Sequence, residues 1–346
     1  MIYAGEALCF DDILMVPQQS SVMSRHQVNL DMTIGFDNTI FLSLPVIAAP
    51  MDTVCDVEMC ITMANAGGIG ILHRYMSYED QIAKSLLLES KNIGFGVAIS
   101  SNNGFLNHAK NLYECGTRCF LIDTANGHGR YAVNAVKDLR DKYDDIHIMA
   151  GNVSTPQGFA SLASAGADSI RVGIGGGAAC TTRLVSGHGM PTLQSIIDIE
   201  KWRMDFGMSH VSIIADGGIR NSGDMVKSFA AGADAVMIGS MLAGTDEAPG
   251  DILTNENGQN VKMFRGMASA DAQHAATGKV SVSEGISTYI PYKGSAVEIL
   301  KQIRGGLGSG CSYSGCFNLH ELSTFSKYIK VSGASLNESR PHAVSH

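Results

Sequence analysis

The sequence is poor in the features that mark nucleic-acid and membrane proteins. It has one tryptophan, and 25 basic residues against 33 acidic ones give a formal net charge of -8. Nucleic-acid surfaces usually carry a basic stripe and aromatic platforms for base stacking. No apolar run reaches the roughly 18 residues that cross a membrane, and residues 1–6 lack the basic and apolar regions of a signal peptide. We therefore expect a cytoplasmic protein that binds small ligands, without nucleic-acid or membrane partners.

The eight cysteines contain no Cys-x-x-Cys pair. Zinc sites built on Cys115 and Cys119, or on Cys311 and Cys316, would need further ligands at matched spacing, and none stand out. We interpret seven of the cysteines as reduced core or surface thiols. The eighth, Cys180, has a different context.

Eight short apolar runs recur along the chain, and most of the intervals between them hold segments of helical period. Alternating strands and helices indicate a parallel sheet, and strands without polar alternation indicate a sheet buried on both faces. Eight units predict a closed (β/α)8 (TIM) barrel. The predicted strands are 45–51, 68–74, 93–99, 119–125, 147–153, 169–174, 211–217 and 235–240, and the predicted helices are 78–90, 104–115, 131–142, 156–165, 192–204 and 221–231.

One domain covering residues 1–346 accommodates this pattern, because such barrels need about 250 residues. Residues 1–44 and 245–346 lie outside the repeat. Residues 244–294 look like a long loop region, and loops of this length are usually lids or binding loops. The tail 335–346 has a polar, loop-like composition.

Polar residues fall at or just after the ends of the predicted strands, on the face where barrel enzymes build their sites. Turn-forming residues also end strands for purely structural reasons, but seven occur together. They are Asp52, Arg74, Asp123, Asn152, Cys180, Asp216 and Ser240. Cys180 follows a glycine-dense loop, and a thiolate beside a backbone that can approach a ligand closely suits covalent catalysis on an electron-poor carbon.

Six motifs spread over most of the chain resemble the family of inosine monophosphate (IMP) dehydrogenases and guanosine monophosphate (GMP) reductases. They lie at 10–17, 49–54, 149–153, 173–183, 216–220 and 291–294. The resemblance implies a barrel, usually tetrameric, that binds a purine nucleotide and a nicotinamide cofactor. The CBS regulatory module of many dehydrogenases is missing, because only about twenty residues separate Arg74 from Ile93.

The resemblance also implies residue roles. Cys180 would add to C2 of the purine, with Thr182 beside it and Glu284 at the purine edge. Asp216 would accept the ribose hydroxyls, and backbone N–H groups of Gly218, Gly239 and Ser240 would bind the phosphate. The resemblance places the following residues near the base, the cofactor and a potassium ion in turn: Met267 and Ala268; Asp52, Arg74, Asp123 and Asn152; and the carbonyl groups of Gly175, Gly177 and Cys180.

Two positions depart from the family pattern near the phosphate. Ala178 replaces a usual serine, and Phe264 replaces a tyrosine found in many dehydrogenases. Each change removes a hydroxyl donor, which costs about 0.5 to 1.5 kcal/mol for a typical hydrogen bond. The sequence leaves open a deoxy or otherwise modified purine nucleotide as substrate.

The family's dehydrogenases activate water with an Arg-Tyr pair on a flap, and residues 268–283 contain neither residue type. A positioned general base typically contributes about 10² to 10⁴ in rate. This favours a GMP reductase that uses NADPH. An IMP dehydrogenase that uses NAD remains the alternative, because residues 219–224, 244–250 and 338–342 look more like bacterial dehydrogenases. A catalytically silent nucleotide sensor is a third hypothesis.

Overall fold

The computed structural model describes residues 5–102 and 104–339. Fifteen strands and twelve α-helices are assigned within these ranges. The strands are β1 (Ile13–Val16), β2 (Met32–Ile34), β3 (Ile40–Leu42), β4 (Val46–Ala48), β5 (Ile69–Leu72), β6 (Phe95–Ile99), β7 (Cys119–Asp123), β8 (His147–Val153), β9 (Ser169–Val172), β10 (Ser212–Asp216), β11 (Ala235–Ile238), β12 (Leu253–Thr254), β13 (Asn260–Arg265), β14 (Ser287–Pro291) and β15 (Lys327–Lys330). The helices are α1 (Val57–Asn65), α2 (Tyr78–Ser90), α3 (Phe105–Glu114), α4 (Arg130–Arg140), α5 (Pro156–Ser164), α6 (Thr182–Val185), α7 (Thr192–Asp205), α8 (Ser222–Ala230), α9 (Ala270–Thr277), α10 (Ala296–Ser314), α11 (His320–Phe325) and α12 (Ser335–Glu338).

Strands β4 to β11 form a closed parallel barrel in sequence order, and β11 pairs with β4 to close it. The predicted (β/α)8 barrel is confirmed, with all eight predicted strands in it. The chain from β5 to β6 contains helix α2 alone. No described helix is long and apolar enough to cross a membrane.

The barrel strands are apolar on both sides because each side faces a different core. Side chains such as Ile47, Leu121 and Ile214 fill the barrel interior, whereas Val97, Ile122 and Val236 belong to the layer between strands and helices. All six of these residues have no exposed surface. This double burial explains why the strands appear in the sequence as continuous apolar runs.

A β2–β3 hairpin closes the N-terminal end of the barrel. Ile34 and Leu42 of the hairpin pack into the interior core. His147, the first residue of β8, lies against the hairpin turn, and its two ring nitrogens are 2.6 Å from the Asn38 carbonyl oxygen and 2.7 Å from Ser169 Oγ. Because the β2–β3 hairpin covers the N-terminal end, the loops at the C-terminal end are the ones left free to form a cavity.

Acid should weaken the fold through His147. Burial lowers the pKa of His147 to about 4, whereas an unfolded histidine titrates near 6.5. The unfolded chain therefore binds a proton between these values that the folded chain does not, so stability falls as pH falls from about 6.5 to 4, by about 3 kcal/mol. Chemical denaturation across this range measures the effect, and a His147→Gln variant should lose this component of the slope. An unchanged slope in the variant would contradict the assignment.

The structure contains elements that the sequence did not predict, both outside and inside the 244–294 segment. Strands β1, β2, β3 and β15 and helices α1, α6, α10, α11 and α12 were not predicted, and α12 begins the tail 335–346 that was expected to be loop-like. Helix α10 is glycine-rich where it packs on α8. A Cβ at Gly306 or Gly310 would lie 2.2 Å from Ser222 Oγ or 2.3 Å from Val226 Cγ2, so the glycines permit close helix packing. The expected loop region 244–294 contains the antiparallel β12–β13–β14 sheet and α9.

Candidate active site

A cavity of about 360 Å³ opens at the C-terminal end of the barrel. Its walls come from the loops after strands β4, β5, β7, β8, β9, β10 and β11 and from the 264–284 segment. With one exception, Asp52, the residues predicted for the site line this cavity. They are Arg74, Asp123, Asn152, Gly175, Gly177, Cys180, Thr182, Asp216, Gly218, Gly239, Ser240, Met267, Ala268 and Glu284.

Backbone pairing brings Glu284 to the Cys180 loop, although the two are far apart in sequence. The Thr181 N–H donates to the Glu284 carbonyl oxygen at 2.9 Å, and the Ile286 N–H donates to the Ala179 carbonyl oxygen at 2.9 Å. Within the loop, the Cys180 N–H donates to the Gly177 carbonyl oxygen at 3.1 Å. The nucleophile loop and the segment carrying Glu284 are therefore held in register by main-chain hydrogen bonds.

Three side chains form a continuous hydrogen-bonded relay. Cys180 Sγ donates to Thr182 Oγ1 at 3.2 Å, and Thr182 Oγ1 donates to Glu284 Oε2 at 2.8 Å. All three are partly exposed to the cavity. A thiol connected to a carboxylate through a hydroxyl can lose its proton along this path, which is how an adjacent base activates a nucleophile.

The loops after β10 and β11 offer backbone donors to an anion. Among the described residues, the N–H groups of Gly218, Gly239 and Ser240 donate to no protein acceptor. Ala178 and Phe264 also line the cavity, and Phe264 is buried. Neither side chain has a hydroxyl that could donate a hydrogen bond.

An ionic cluster lies at the ends of the barrel strands that line the site. Arg171 Nη1 lies 2.7 Å from Asp123 Oδ1, and Arg171 Nη2 lies 2.8 Å from Asp216 Oδ2. Arg74 Nε donates to Asp123 Oδ2 at 3.0 Å, and Asn152 Nδ2 donates to Asp216 Oδ2 at 2.8 Å. Every bond found to the Asp216 side chain uses Oδ2, which leaves Oδ1 for ligand hydroxyls.

The ionised groups in this cluster each favour the charged form of their partners. Burial alone would raise the pKa of Asp123, but Arg171 and Arg74 outweigh burial and lower it. Burial opposes the charge on Arg171 as well, yet Asp216 and Asp123 raise its pKa. Both partners therefore stay ionised at neutral pH and hold a fixed geometry between β7, β9 and β10.

Asp52 does not line the cavity. Its Oδ2 accepts from Arg265 Nη2 at 2.5 Å and from Arg265 Nε at 3.0 Å. Its backbone N–H lies 3.4 Å from Met267 Sδ. The structure thus brings Asp52 to the segment that lines the site without placing it among the cavity-lining residues.

Arg171 and Arg265 were not predicted from the sequence. A signal for Arg171 was present, because a single cation inside the apolar run 169–174 needs buried carboxylate partners. Arg265 was harder to recognise, since its partner Asp52 is 213 positions away. Pairing at that separation is visible only in the folded chain.

The segment 268–283 folds over one edge of the site through α9. Ser269 caps the helix, and Gln273 Nε2 donates to the carbonyl oxygens of Ala268 and Val282 at 3.0 and 3.1 Å. Val282 lines the cavity. The segment lacks arginine and tyrosine, so it brings no such side chain to the cavity.

The predicted cation donors are neutral carbonyl oxygens, a donor type that suits a monovalent ion. The Gly177 carbonyl already accepts the Cys180 N–H, which leaves it one lone pair. In residues 5–102 and 104–339, no group of three or more His, Cys, Asp or Glu side chains could hold a metal. Most of the tail 335–346 lies outside the described residues.

Nearly the whole chain matches one protein family. Residues 7–342 match the model for the IMP dehydrogenase / GMP reductase domain. The chain belongs to the IMP dehydrogenase / GMP reductase family. It is therefore an oxidoreductase of the family whose members use NAD(P) cofactors.

Relatives of both names cover nearly the whole chain. The inosine-5'-monophosphate dehydrogenase of Borreliella burgdorferi is 34% identical over 400 aligned positions, covering 98% of this chain and 97% of that protein. The GMP reductase of Leishmania major is 30% identical over 485 positions, covering 98% and 97%. Both alignments are longer than this 346-residue chain, so these relatives carry segments that have no counterpart here.

A solved structure shares the fold across its length. GMP reductase from Trypanosoma brucei, a cysteine-to-alanine variant in complex with guanosine 5'-monophosphate, superposes with a TM-score of 0.92. It is 29% identical, and the match covers 99% of each chain. The family and fold are settled by these matches, while the two activities are both represented among them.

Proposed function

We propose that this protein is a GMP reductase, which converts GMP, NADPH and a proton to IMP, ammonia and NADP. The observation that carries the proposal is the Cys180–Thr182–Glu284 relay beside a 268–283 segment that offers no arginine or tyrosine to activate water. The relay can protonate a leaving amine. Hydrolysis of the same covalent adduct would require a base for water.

We assign the two ligands to different sides of the barrel. Gly218, Gly239 and Ser240 follow β10 and β11. On the other side, Arg74 follows β5, Asp123 ends β7 and Asn152 lies near the end of β8. The Cys180 loop, after β9, lies between these sets in the strand order. We place the nucleotide phosphate at the unpartnered N–H groups and the nicotinamide on the β5 to β8 side, where polar side chains fit its carboxamide and ribose.

Catalysis begins with transfer of the Cys180 proton through Thr182 to Glu284, over distances of 3.2 and 2.8 Å. The Cys180 sulfur forms a bond to C2 of GMP, and the electron pair of the adjacent C–N double bond moves to the ring nitrogen, from which it returns to reform that double bond when the amine leaves. Glu284, now a carboxylic acid, delivers its proton to the 2-amino group. The C2–N bond then breaks, ammonia leaves, and a C2 thioimidate remains.

NADPH supplies a hydride to C2 when it is bound. Breaking the C2–S bond then restores the ring double bond and releases IMP and the Cys180 thiolate. Asp216 holds the ribose through Oδ1, while Arg171 and Asn152 fix its other oxygen. Met267, Ala268 and Val282 exclude water from the adduct by covering its edge of the cavity.

Arg171 and Arg265 are poorly suited to act as bases. The pKa of Arg171 is raised despite its burial, because Asp216 and Asp123 favour its charged form. The hydrogen bond to Asp52 likewise raises the pKa of Arg265. A base needs a lowered pKa, so these contacts support reduction over hydrolysis.

IMP dehydrogenase is the second candidate function. It is favoured by dehydrogenases among the relatives that match nearly the full chain, including that of Borreliella burgdorferi. Both activities use Cys180 and a C2 adduct. They differ in whether water or hydride completes the cycle.

A paired assay distinguishes the two. We expect NADPH oxidation with GMP and no NADH formation from IMP with NAD. Turnover of IMP with NAD, and none of GMP with NADPH, would show that the protein is a dehydrogenase and overturn the proposal. Including 2'-deoxy-GMP in the first reaction tests whether Ala178 and Phe264 accompany a changed substrate.

Glu284→Gln should lower kcat for GMP by about 10² to 10⁴, because the amide cannot deliver the proton that ammonia requires. GMP affinity should change much less. Steady-state kinetics with a direct GMP-binding measurement separates the two effects. Thr182→Val should fall in the same range and Thr182→Ser should stay near wild type, since serine keeps the hydroxyl. A Glu284→Gln enzyme with half its activity would exclude Glu284 as the proton donor.

We further propose a homotetramer and a potassium ion at the carbonyls of Gly175, Gly177 and Cys180, both resting on family resemblance. Sedimentation tests the assembly. Exchange of potassium for a larger organic cation tests the ion, and unchanged activity would remove it from the account. None of the catalytic steps above depends on the ion.

A further inference from the structure

Asp52 and Arg265 join the first β/α loop of the barrel to the end of β13. Arg265 Nη2 and Nε both donate to Asp52 Oδ2, at 2.5 and 3.0 Å. The Arg265 N–H also donates to Thr53 Oγ1 at 3.2 Å. The pair is well shielded, with side-chain exposures of 22% for Arg265 and 9% for Asp52.

The segment after Arg265 leads directly to the reacting groups. A Cβ at Gly266 would lie 2.9 Å from the Ala179 carbonyl oxygen, so this glycine packs on the residue before Cys180. Met267 and Ala268 line the cavity, and the Ala268 carbonyl accepts the Glu284 N–H at 3.0 Å. A shift at Arg265 would therefore reach both the base-contacting loop and the proton relay.

We propose that the Asp52–Arg265 pair is a latch that positions Met267, Ala268 and Glu284 around the purine, which makes Asp52 a positioning residue. The proposal rests on the proposed purine-nucleotide site and applies to GMP and IMP alike. In the part of the chain that the structure describes, only one oxygen of the Asp52 carboxylate is hydrogen-bonded by a side chain. The other, Oδ1, is buried and has no hydrogen-bond partner among the described residues. The Arg265 fork is thus the side-chain interaction that holds this carboxylate.

The chain offers a closely matched control. Arg140 Nη2 lies 2.5 Å from Asp168 Oδ2, with side-chain exposures of 22% and 11%. Asp168 immediately precedes β9 and accepts the N–H of Ile148 near the start of β8, so this pair lies at the opposite end of the barrel. Asp52→Asn and Asp168→Asn therefore each break an ion pair of the same length and of similar burial.

The test is equilibrium binding of GMP and of IMP, without cofactor, to wild type, Asp52→Asn and Asp168→Asn. We expect both variants to unfold at lower temperature. Only Asp52→Asn should bind GMP and IMP about tenfold more weakly, and it should show faster hydrogen exchange across residues 265–285. Equal nucleotide affinities for Asp52→Asn and wild type, or equal losses in the two variants, would overturn the latch.

Arg265→Met with Asp52→Asn removes both charges and covers the case in which Asp52→Asn alone does not fold. Paired residues are non-additive, so the double variant should bind nucleotides about as weakly as the Asp52→Asn single variant, and Arg265→Lys should bind with an intermediate affinity. A double variant with wild-type nucleotide affinity would also overturn the latch. Because binding is measured without turnover, a failed reductase assay leaves this result interpretable, and failure of wild type to bind either nucleotide would instead refute the purine site.

Discussion

Cys180→Ala should abolish turnover of GMP, with a loss of about 10⁵ or more in kcat. The nucleophile is the group whose removal stops covalent catalysis, and single knockouts of catalytic nucleophiles have effects of this size. Binding of GMP should persist, because the predicted phosphate and ribose contacts come from Gly218, Gly239, Ser240 and Asp216. Single-turnover kinetics with a parallel binding measurement tests both halves of the expectation.

Mass spectrometry provides the control. Wild type mixed with GMP should show an adduct on the peptide containing Cys180, and the alanine variant should show none. If Cys180→Ala retained every measurable function, the protein would be a nucleotide sensor rather than an enzyme. Cys115, which is partly exposed and lies between α3 and the start of β7 at the opposite end of the barrel, serves as a matched cysteine-to-alanine substitution that should leave turnover unchanged.

Arg171→Met should destabilise the fold by about 3 to 5 kcal/mol, because it leaves the Asp123 and Asp216 carboxylates without their shared buried partner. For a chain of this length, that corresponds to a fall in Tm of about 5 °C. Turnover should fall by about 10², since Asp216 loses the group that fixes its orientation. Calorimetry and steady-state kinetics measure the two effects.

The pH dependence of this variant carries a definite sign. In wild type, the lowered pKa of Asp123 contributes stability that is present above the unfolded value of about 4 and is lost as pH falls through the folded pKa. Without Arg171, burial favours the protonated acids, so the stability gap between variant and wild type should narrow as pH falls from 7 to 4. Arg171→Lys keeps the positive charge, so its stability should differ less from that of wild type at every pH between 7 and 4. A variant as stable as wild type at pH 7 would contradict the role given to Arg171.

The barrel was predictable because its strands are buried on both faces. Residues such as Ile47, Ile71 and Leu121 stand in short uninterrupted apolar runs, and the eight runs recur regularly. Helix α10 was not predictable in this way. Its Gly306 and Gly310 reduce helix propensity, and their use in packing against Ser222 and Val226 of α8 is a tertiary effect that local sequence does not report.

The cavity-lining residues were predictable where they lie at strand ends, as at Asp123, Asn152 and Asp216. Glu284 was assigned through family resemblance, and its contact with Thr182 spans 102 positions, which no local pattern reveals. The assignment of Asp52 to the cofactor remains a prediction, whereas its contact with Arg265 is a feature of the fold. Local sequence patterns identify polar residues at strand ends, but contacts between residues far apart in the sequence are visible only in the folded chain.

The most direct test of the account is the stoichiometry of ammonia and IMP released from GMP as NADPH is oxidised. We predict one ammonia and one IMP for each NADPH consumed, and no product from IMP with NAD. Formation of xanthosine monophosphate and NADH from IMP, with no ammonia from GMP, would show that water, and not hydride, completes the cycle at Cys180.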